Sequence, residues 1–314
     1  MTYPRAHLID PDGGVYHVCS RCVRRAWLCG TDKGTGLNFD HRRQWLEDRI
    51  LALSDVFAVE LYGYAVMSNH YHVVLKIDAG VVQSWSDEVV ADKWLSLCSK
   101  QFVGDDAAAK QDFHRTLLLQ DAARLLVIRD RLASLSWFMR MINEPLARTA
   151  NQEDHCKGRF WEGRFKSQRL LDETAILACM VYVDLNPVRA GMVDDVEDAV
   201  HTSLAHRLKA NPTETELMTA IQGSVLPIDY CLRDYIALAR STALSQRLTR
   251  YSGTPRADNQ PGNQPGNQPD KRLAWLDAIM PKPGRWQRAC GGAQSLRDYA
   301  REIGQCWVKT YSTR

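Results

Sequence analysis

Two histidines one residue apart, His70 and His72, sit in the apolar run MSNHYHVVLKI. A β-strand points successive side chains to opposite faces, so both imidazoles project to one side while Tyr71 and Val73 project to the other. Such a pair is a candidate divalent-metal site that needs a third ligand and a reactive partner from elsewhere in the chain. The same pair also suits a surface or a satisfied core position. A second set lies in VYVDLNPVRAG, where Tyr182 and Asn186 are four residues apart and share a face wherever helical geometry holds. A phenol and an amide oxygen would then project together. Taken alone, these two residues equally fit an amphipathic core position and a helix-end cap before Pro187.

A third stretch, KGRFWEGRFKSQR, interleaves Lys157, Arg159, Arg164, Lys166 and Arg169 with Phe160, Trp161 and Phe165. Read as a strand over 160–168, it puts Arg164 and Lys166 on one face with Glu162, and Trp161 and Phe165 on the other. A basic face of this kind contacts phosphates, and exposed aromatics stack on bases; buried aromatics behind a solvated basic face are the structural alternative. Arg21, Arg24 and Arg25 lie on or just past an earlier strand and extend the same patch.

The elements that must carry these groups follow from periodicity. Residues 15–23 read as a strand, and 38–53 as a helix with Trp45, Leu46, Ile50 and Leu53 at helical spacing and Asp40 as N-cap. FAVELYGYAVM and YHVVLKI are strand-like, with Ser68 and Asn69 between them, and sequence alone does not decide between a break, a bulge and one continuous strand. Residues 79–130 are helical in pattern and read as an insertion. The segment 133–150 is an amphipathic helix with Leu135, Phe138, Ile142 and Leu146 as its apolar stripe. Residues 158–171 read as an extended strand, and Asp172 opens a helix that must end near Pro187. The resulting β-α-β-β-α-β order predicts an α+β fold, a ferredoxin-like (RRM-like) antiparallel sheet with helices on one face and the other free for ligands. The first unit spans 1–200, a helical C-terminal extension follows over 201–258, and NQPGNQPGNQP marks a linker at 259–270 too poor in apolar residues to build a core. A small basic segment, 271–314, ends the chain.

At 314 residues, 45% hydrophobic and 25% charged, the composition is that of a globular protein with a sizeable core. A net charge of +3 permits a nucleic-acid partner without demanding one. No apolar run reaches the length of a membrane span, and MTYPRAHLID lacks the pattern of a signal peptide, so the expected location is the cytoplasm, with no membrane partner. Nine scattered cysteines argue against a disulfide framework, and the single Cys19-x-x-Cys22 pair has no second pair to complete a zinc site.

His70-Tyr71-His72 resembles the histidine, hydrophobic, histidine motif of the HUH nucleases. GRFWEGRFKS followed by YVDLNPVRAGMV resembles the closing signature of single-tyrosine HUH transposases of the REP-associated type, the IS200-like transposase domain. The resemblance covers about residues 14–195 without the 79–130 insertion, and Tyr71 is bulkier than the usual middle residue. It implies that Tyr182 is a nucleophile, that His70 and His72 bind Mg²⁺ or Mn²⁺, and that Asn186 is the third ligand. The implied enzyme is a DNA transposase and single-strand endonuclease that nicks and rejoins hairpin-containing DNA, such as REP-like or transposon-end sequences, through a 5′-phosphotyrosine. Arg24, Arg159, Arg164, Lys166 and Arg169 are then its candidate DNA contacts, and a homodimer is compatible with it. A domesticated protein that binds hairpins without cleaving them, and a replication-initiator-like HUH nickase, are the alternatives; an RNA-binding domain of the same fold would need exposed aromatics in place of the histidines.

Overall fold

The computed structural model describes residues 9–10, 13–23, 28–31, 36–98, 104–210, 215–251, 286–306 and 308. Its elements run β1 (Gly13–Arg21), α1 (His41–Val56), β2 (Val59–Val66), β3 (His70–Asp78), α2 (Ala79–Gln83), α3 (Asp87–Leu97), α4 (Ala107–Leu119) and α5 (Ala122–Leu132). They continue with α6 (Leu135–Glu153), β4 (Lys166–Leu170), α7 (Glu173–Asp184), α8 (Asn186–Arg189), α9 (Ser203–Lys209), α10 (Leu232–Tyr251), β5 (Ala289–Cys290) and α11 (Ala293–Glu302). The fold is α+β. Among the described residues one sheet runs β2-β3-β1-β4-β5, with antiparallel neighbours except for the short parallel pair β4 and β5.

β2 and β3 form a hairpin, closed by the Met67 N–H donating to the His70 carbonyl at 2.8 Å across Ser68 and Asn69. β3 then pairs with β1 along its whole length, from Gly13 opposite Asp78 to Arg21 opposite His70. Tyr16, Val18, Tyr71, Val73 and Leu75 pack on one side of the sheet with Ile50 and Leu53 of α1 and Phe138 and Ile142 of α6. Val74 and Leu170 point the other way, into the core built on α7.

Both faces of the sheet are therefore covered, which corrects the expectation of helices on one face and an open second face. The reason lies in α7 itself. Its sequence ETAILACMVYVD is apolar all round and nearly every residue is buried, so it needs cover on opposite sides. The sheet supplies one side; Leu204 of α9 and Leu232, Tyr235 and Ile236 of α10 supply the other. Asp184 fastens that outer layer, accepting from Ser203 Oγ at 2.8 Å, the Leu204 N–H at 3.1 Å and Tyr235 OH at 2.6 Å.

Three local expectations change. The strand read over 158–171 is a strand only at Lys166–Leu170; before it, Trp161 makes an isolated bridge to Cys22, and Gly158 takes a φ of +108°. Helix α7 opens as expected on Asp172, whose Oδ1 accepts the Ala175 N–H at 2.9 Å, and ends at Asp184, but α8 carries the chain onward through Pro187. Proline is tolerated there because a first-turn N–H has no helical partner to lose. Asp40 occupies the N-cap position of α1 without making a cap bond, since its backbone is already helical and its carboxylate pairs with Arg43 at 3.4 Å.

Helices α2 to α5 gather around Val90, Ala91, Leu125, Ile128 and Leu132, a satellite core of their own. The linker read at 259–270 lies outside the described residues. Residues 286–306 return to the sheet, where β5 lies beside β4, and α11 packs behind it through Tyr299 and Ala300. Among the described residues no helix is long and apolar enough to cross a membrane.

Candidate functional site

Register brings the site together. In β1 and β3 Cys19 lies opposite His72, Arg21 opposite His70 and His17 opposite Val74, so these side chains share the face that meets α7. The His70 and His72 rings stand edge to face with centroids 4.9 Å apart. His70 Nδ1 meets Asn69 Oδ1 at 2.5 Å, and His72 Nδ1 meets His17 Nε2 at 2.9 Å. Both contacts use Nδ1, which leaves Nε2 on each ring.

From the helix side, the Tyr182 ring sits edge-on to His72 at 5.7 Å and to His17 at 5.9 Å. The Arg189 guanidinium lies over the Tyr182 ring, 4.8 Å from its centroid. Asn186 is in the same turn, its Nδ2 donating to the Tyr182 carbonyl at 3.0 Å, so the amide is held by its own helix with Oδ1 as its acceptor. The structure thus brings Tyr182 against His72, with His70 beside His72 and Asn186 one turn beyond Tyr182, although Tyr182 follows the histidines by some hundred residues.

Electrostatics favours neutral imidazoles. Burial drives the His17 pKa down to about 3; burial, helped by the Arg21 charge, drives that of His70 to about 4. His72 is held well below its ordinary value by burial and by its two histidine neighbours. Neutral rings with Nδ1 engaged and Nε2 left over are the form in which histidine ligates a metal. Two such nitrogens joined by an oxygen ligand could hold Mn²⁺, and would admit Mg²⁺. Among the described residues no three His, Cys, Asp or Glu side chains converge on a metal-sized point, so oxygen ligands would come from Asn186, substrate or water. Burial pushes the Tyr182 phenol above its usual range, while Arg189 and Arg21 pull the other way. Asp184, the acid nearest in sequence, is turned into the α9 and α10 contact described above.

The expected DNA contacts scatter. Lys166 is exposed at the start of β4, opposite Cys19 and hence on the histidine face. Arg159 and Arg164 are exposed in the loop before it, with Arg159 Nη1 donating to the Glu162 carbonyl at 3.4 Å. Arg164 lines a cleft of about 560 Å³ against α6, together with Trp137, Arg140, Trp161 and Phe165. Trp161 is anchored there by its Nε1–H to the Asn143 carbonyl at 2.9 Å. Arg169 faces away from the histidines and is held by Asp10 at 2.9 Å and Glu302 at 3.0 Å. Arg24, with Arg25, lies outside the described residues.

Three residues at the site escape a reading of the sequence. His17 belongs to VYHVCSRCV, where a single histidine in an apolar strand carries no signal of its own. Gln168 lies opposite His17 in β4 and is buried. Trp286 comes from beyond the linker, and its ring packs on His17 at 4.9 Å and on His72 at 6.5 Å. Period-two alternation could have put His17 and His72 on like faces; nothing local could have placed Trp286.

No family model matches the chain, and no curated protein matches it. Among solved structures, a REP-associated tyrosine transposase bound to a REP hairpin aligns over 70% of this chain and 97% of its own, with 14% identity and a TM-score of 0.40.

Proposed function

We propose that the protein nicks and rejoins single-stranded, hairpin-containing DNA, with Tyr182 as nucleophile and His70, His72 and Asn186 as ligands of a divalent metal. The observation that carries this reading is the meeting of the Tyr182 ring with His72, which itself stands against His70, across the interface of α7 and β3. The strand order β2-β3-β1-β4, with α1 and α6 as crossovers, supports the ferredoxin-like reading of the sheet.

In the reaction Tyr182 Oη bonds to phosphorus, the bond from phosphorus to the 3′ oxygen breaks, and that oxygen leaves and takes up a proton. The phenol proton passes to water. A 5′-phosphotyrosine and a free 3′-hydroxyl result, so the reverse attack rejoins the strand. A bound Mn²⁺ or Mg²⁺ would polarise the phosphoryl oxygens and offset the charge that builds on them. Arg189 and Arg21 add positive charge beside the phenol, which has an ordinary pKa of about 10 and needs that help. Lys166, Arg164 and Arg159 are the DNA contacts this reading retains, whereas Arg169 already has carboxylate partners.

The test is a covalent-adduct assay on a denaturing gel, with single-stranded DNA from the flanks of the gene, Mn²⁺, Mg²⁺ or chelator, and Tyr182→Phe in parallel. A metal-dependent adduct lost in the Phe variant is expected; cleavage that survives in it refutes the assignment of the nucleophile. One observation favours a second reading, a chain that grips hairpins without cutting them: Trp286 packs over two of the histidines. Hairpin binding without an adduct, in the wild type and also in Trp286→Ala, would select that reading.

A further inference from the structure

The contact between His17 and His72 joins two imidazoles that both face the site, and only one of its nitrogens carries the proton. His17 is fully buried and His72 nearly so, and both are neutral. If His17 Nε2–H donates, His72 accepts on Nδ1, carries its own proton on Nε2 and presents no lone pair to a metal. If His72 Nδ1–H donates, its Nε2 lone pair is open, and His17 must carry its proton on Nδ1.

The surroundings of His17 Nδ1 decide between the two. That atom is buried and makes no hydrogen bond of full geometry to a described residue. Its neighbour in the β4 register is Gln168, buried as well. Gln168 donates through Nε2 to Gln287 Oε1 at 3.4 Å, which leaves its oxygen as the end not used in that contact. An amide oxygen accepts and never donates. A proton on His17 Nδ1 would thus point toward the strand that carries the Gln168 amide, whereas one on His17 Nε2 would leave Nδ1 a buried lone pair beside it.

We infer that His17 is a positioning residue: it accepts from His72 Nδ1–H, holds His72 in the tautomer whose Nε2 lone pair is open, and is itself oriented by Gln168. The order Gln168, His17, His72 runs across three adjacent strands. This inference rests on the reading of His70 and His72 as metal ligands, but its first test does not require a metal. Outer partners that orient a metal-bound histidine are worth about 10- to 100-fold in affinity.

The first experiment is long-range ¹H–¹⁵N correlation NMR of the metal-free full chain with ¹⁵N-histidine, assigned with His72→Gln. A protonated Nδ1 on His72 and an acceptor Nε2 on His17 are expected; His72 protonated on Nε2 overturns the inference. The second is Mn²⁺ affinity by EPR titration. His17→Phe should weaken binding about 10- to 100-fold, while His17→Gln, which keeps an acceptor, should stay close to wild type. Gln168→Leu serves as a further variant should His17→Phe fail to fold, with a smaller loss expected. Equal Mn²⁺ affinity in wild type and His17→Phe refutes the inference, as does a pulsed-EPR signature of His17 bound directly to Mn²⁺. A wild-type chain with no affinity for Mn²⁺ would defeat the metal reading instead, and the tautomer measurement would still judge the His17 and His72 pair.

Discussion

The two faces of β1 and β3 both bury polar side chains, and they treat them in opposite ways. On the face toward α1 and α6, donors and acceptors close on one another. Tyr71 OH donates to Asn143 Oδ1 at 2.8 Å and Asn143 Nδ2 to Ser20 Oγ at 3.0 Å. Tyr64 OH donates to Glu47 Oε1 at 2.7 Å, and His201 Nδ1 meets Glu47 Oε2 at 2.5 Å. On the face toward α7, His17 Nδ1 and Gln287 Nε2 are buried without a full hydrogen bond, and His70 and His72 make their contacts through Nδ1 and not Nε2. Satisfied networks specify a core, and polar atoms left over mark a place where something else binds. On the function proposed above, the same strands carry a structural face and a working face.

The largest effect expected from breaking this contrast is on the working face. If His72 is a metal ligand as proposed, His72→Gln should lower adduct formation on the order of a thousandfold by removing charge stabilisation from the step, with the urea-unfolding midpoint little changed. A variant that cleaves normally would return His72 to the status of a core residue. On the structural face the expectation reverses: Asn143→Leu strands Tyr71 OH and Ser20 and should cost about 2 kcal/mol in urea unfolding, with adduct formation per folded molecule preserved. Loss of activity without loss of stability there would erase the distinction.

Two smaller effects sharpen it. Lys166→Ala and Arg164→Ala should each weaken single-stranded DNA binding a few-fold across sequences and lower the salt slope by about 1. Arg169→Ala, on the other face, should leave that slope alone, so filter binding at several salt concentrations separates the two groups. The smallest effect is on pH. Burial alone would raise the Glu47 carboxyl, but hydrogen bonds from His201 and Tyr64 outweigh it and hold the group below its ordinary 4.5. A depressed carboxylate contributes stability that is present above its unfolded pKa and is lost as pH falls through the folded value. Wild type should therefore lose stability on acidification below 4.5 more steeply than Glu47→Gln; parallel pH curves would contradict this.

Much of the frame is legible in the chain. The alternation in YHVVLKI, the stripe at Leu135, Phe138, Ile142 and Leu146, and the Asp172 start of α7 all follow from short-range periods that the backbone imposes. Less legible was GRFWEGRFKS, where Phe160 is buried and Trp161 is tied to Asn143; tertiary contacts there override a strand-like composition. Arg169 looked like its basic neighbours, and only the packing of α11 supplies the Glu302 that engages it.

What the sequence by itself determined is which side chains share a face: His70 with His72, and Tyr182 with Asn186. Those relations need only the two-residue and four-residue periods of strand and helix, set by local backbone geometry. What tertiary structure decided is which faces meet: His17 beside His72 through the β1 and β3 register, Tyr182 brought onto both by a helix that had to be buried all round, and Trp286 returned to the sheet by β5. Such meetings depend on pairing and packing between segments far apart in the chain, and a local period carries no information about them.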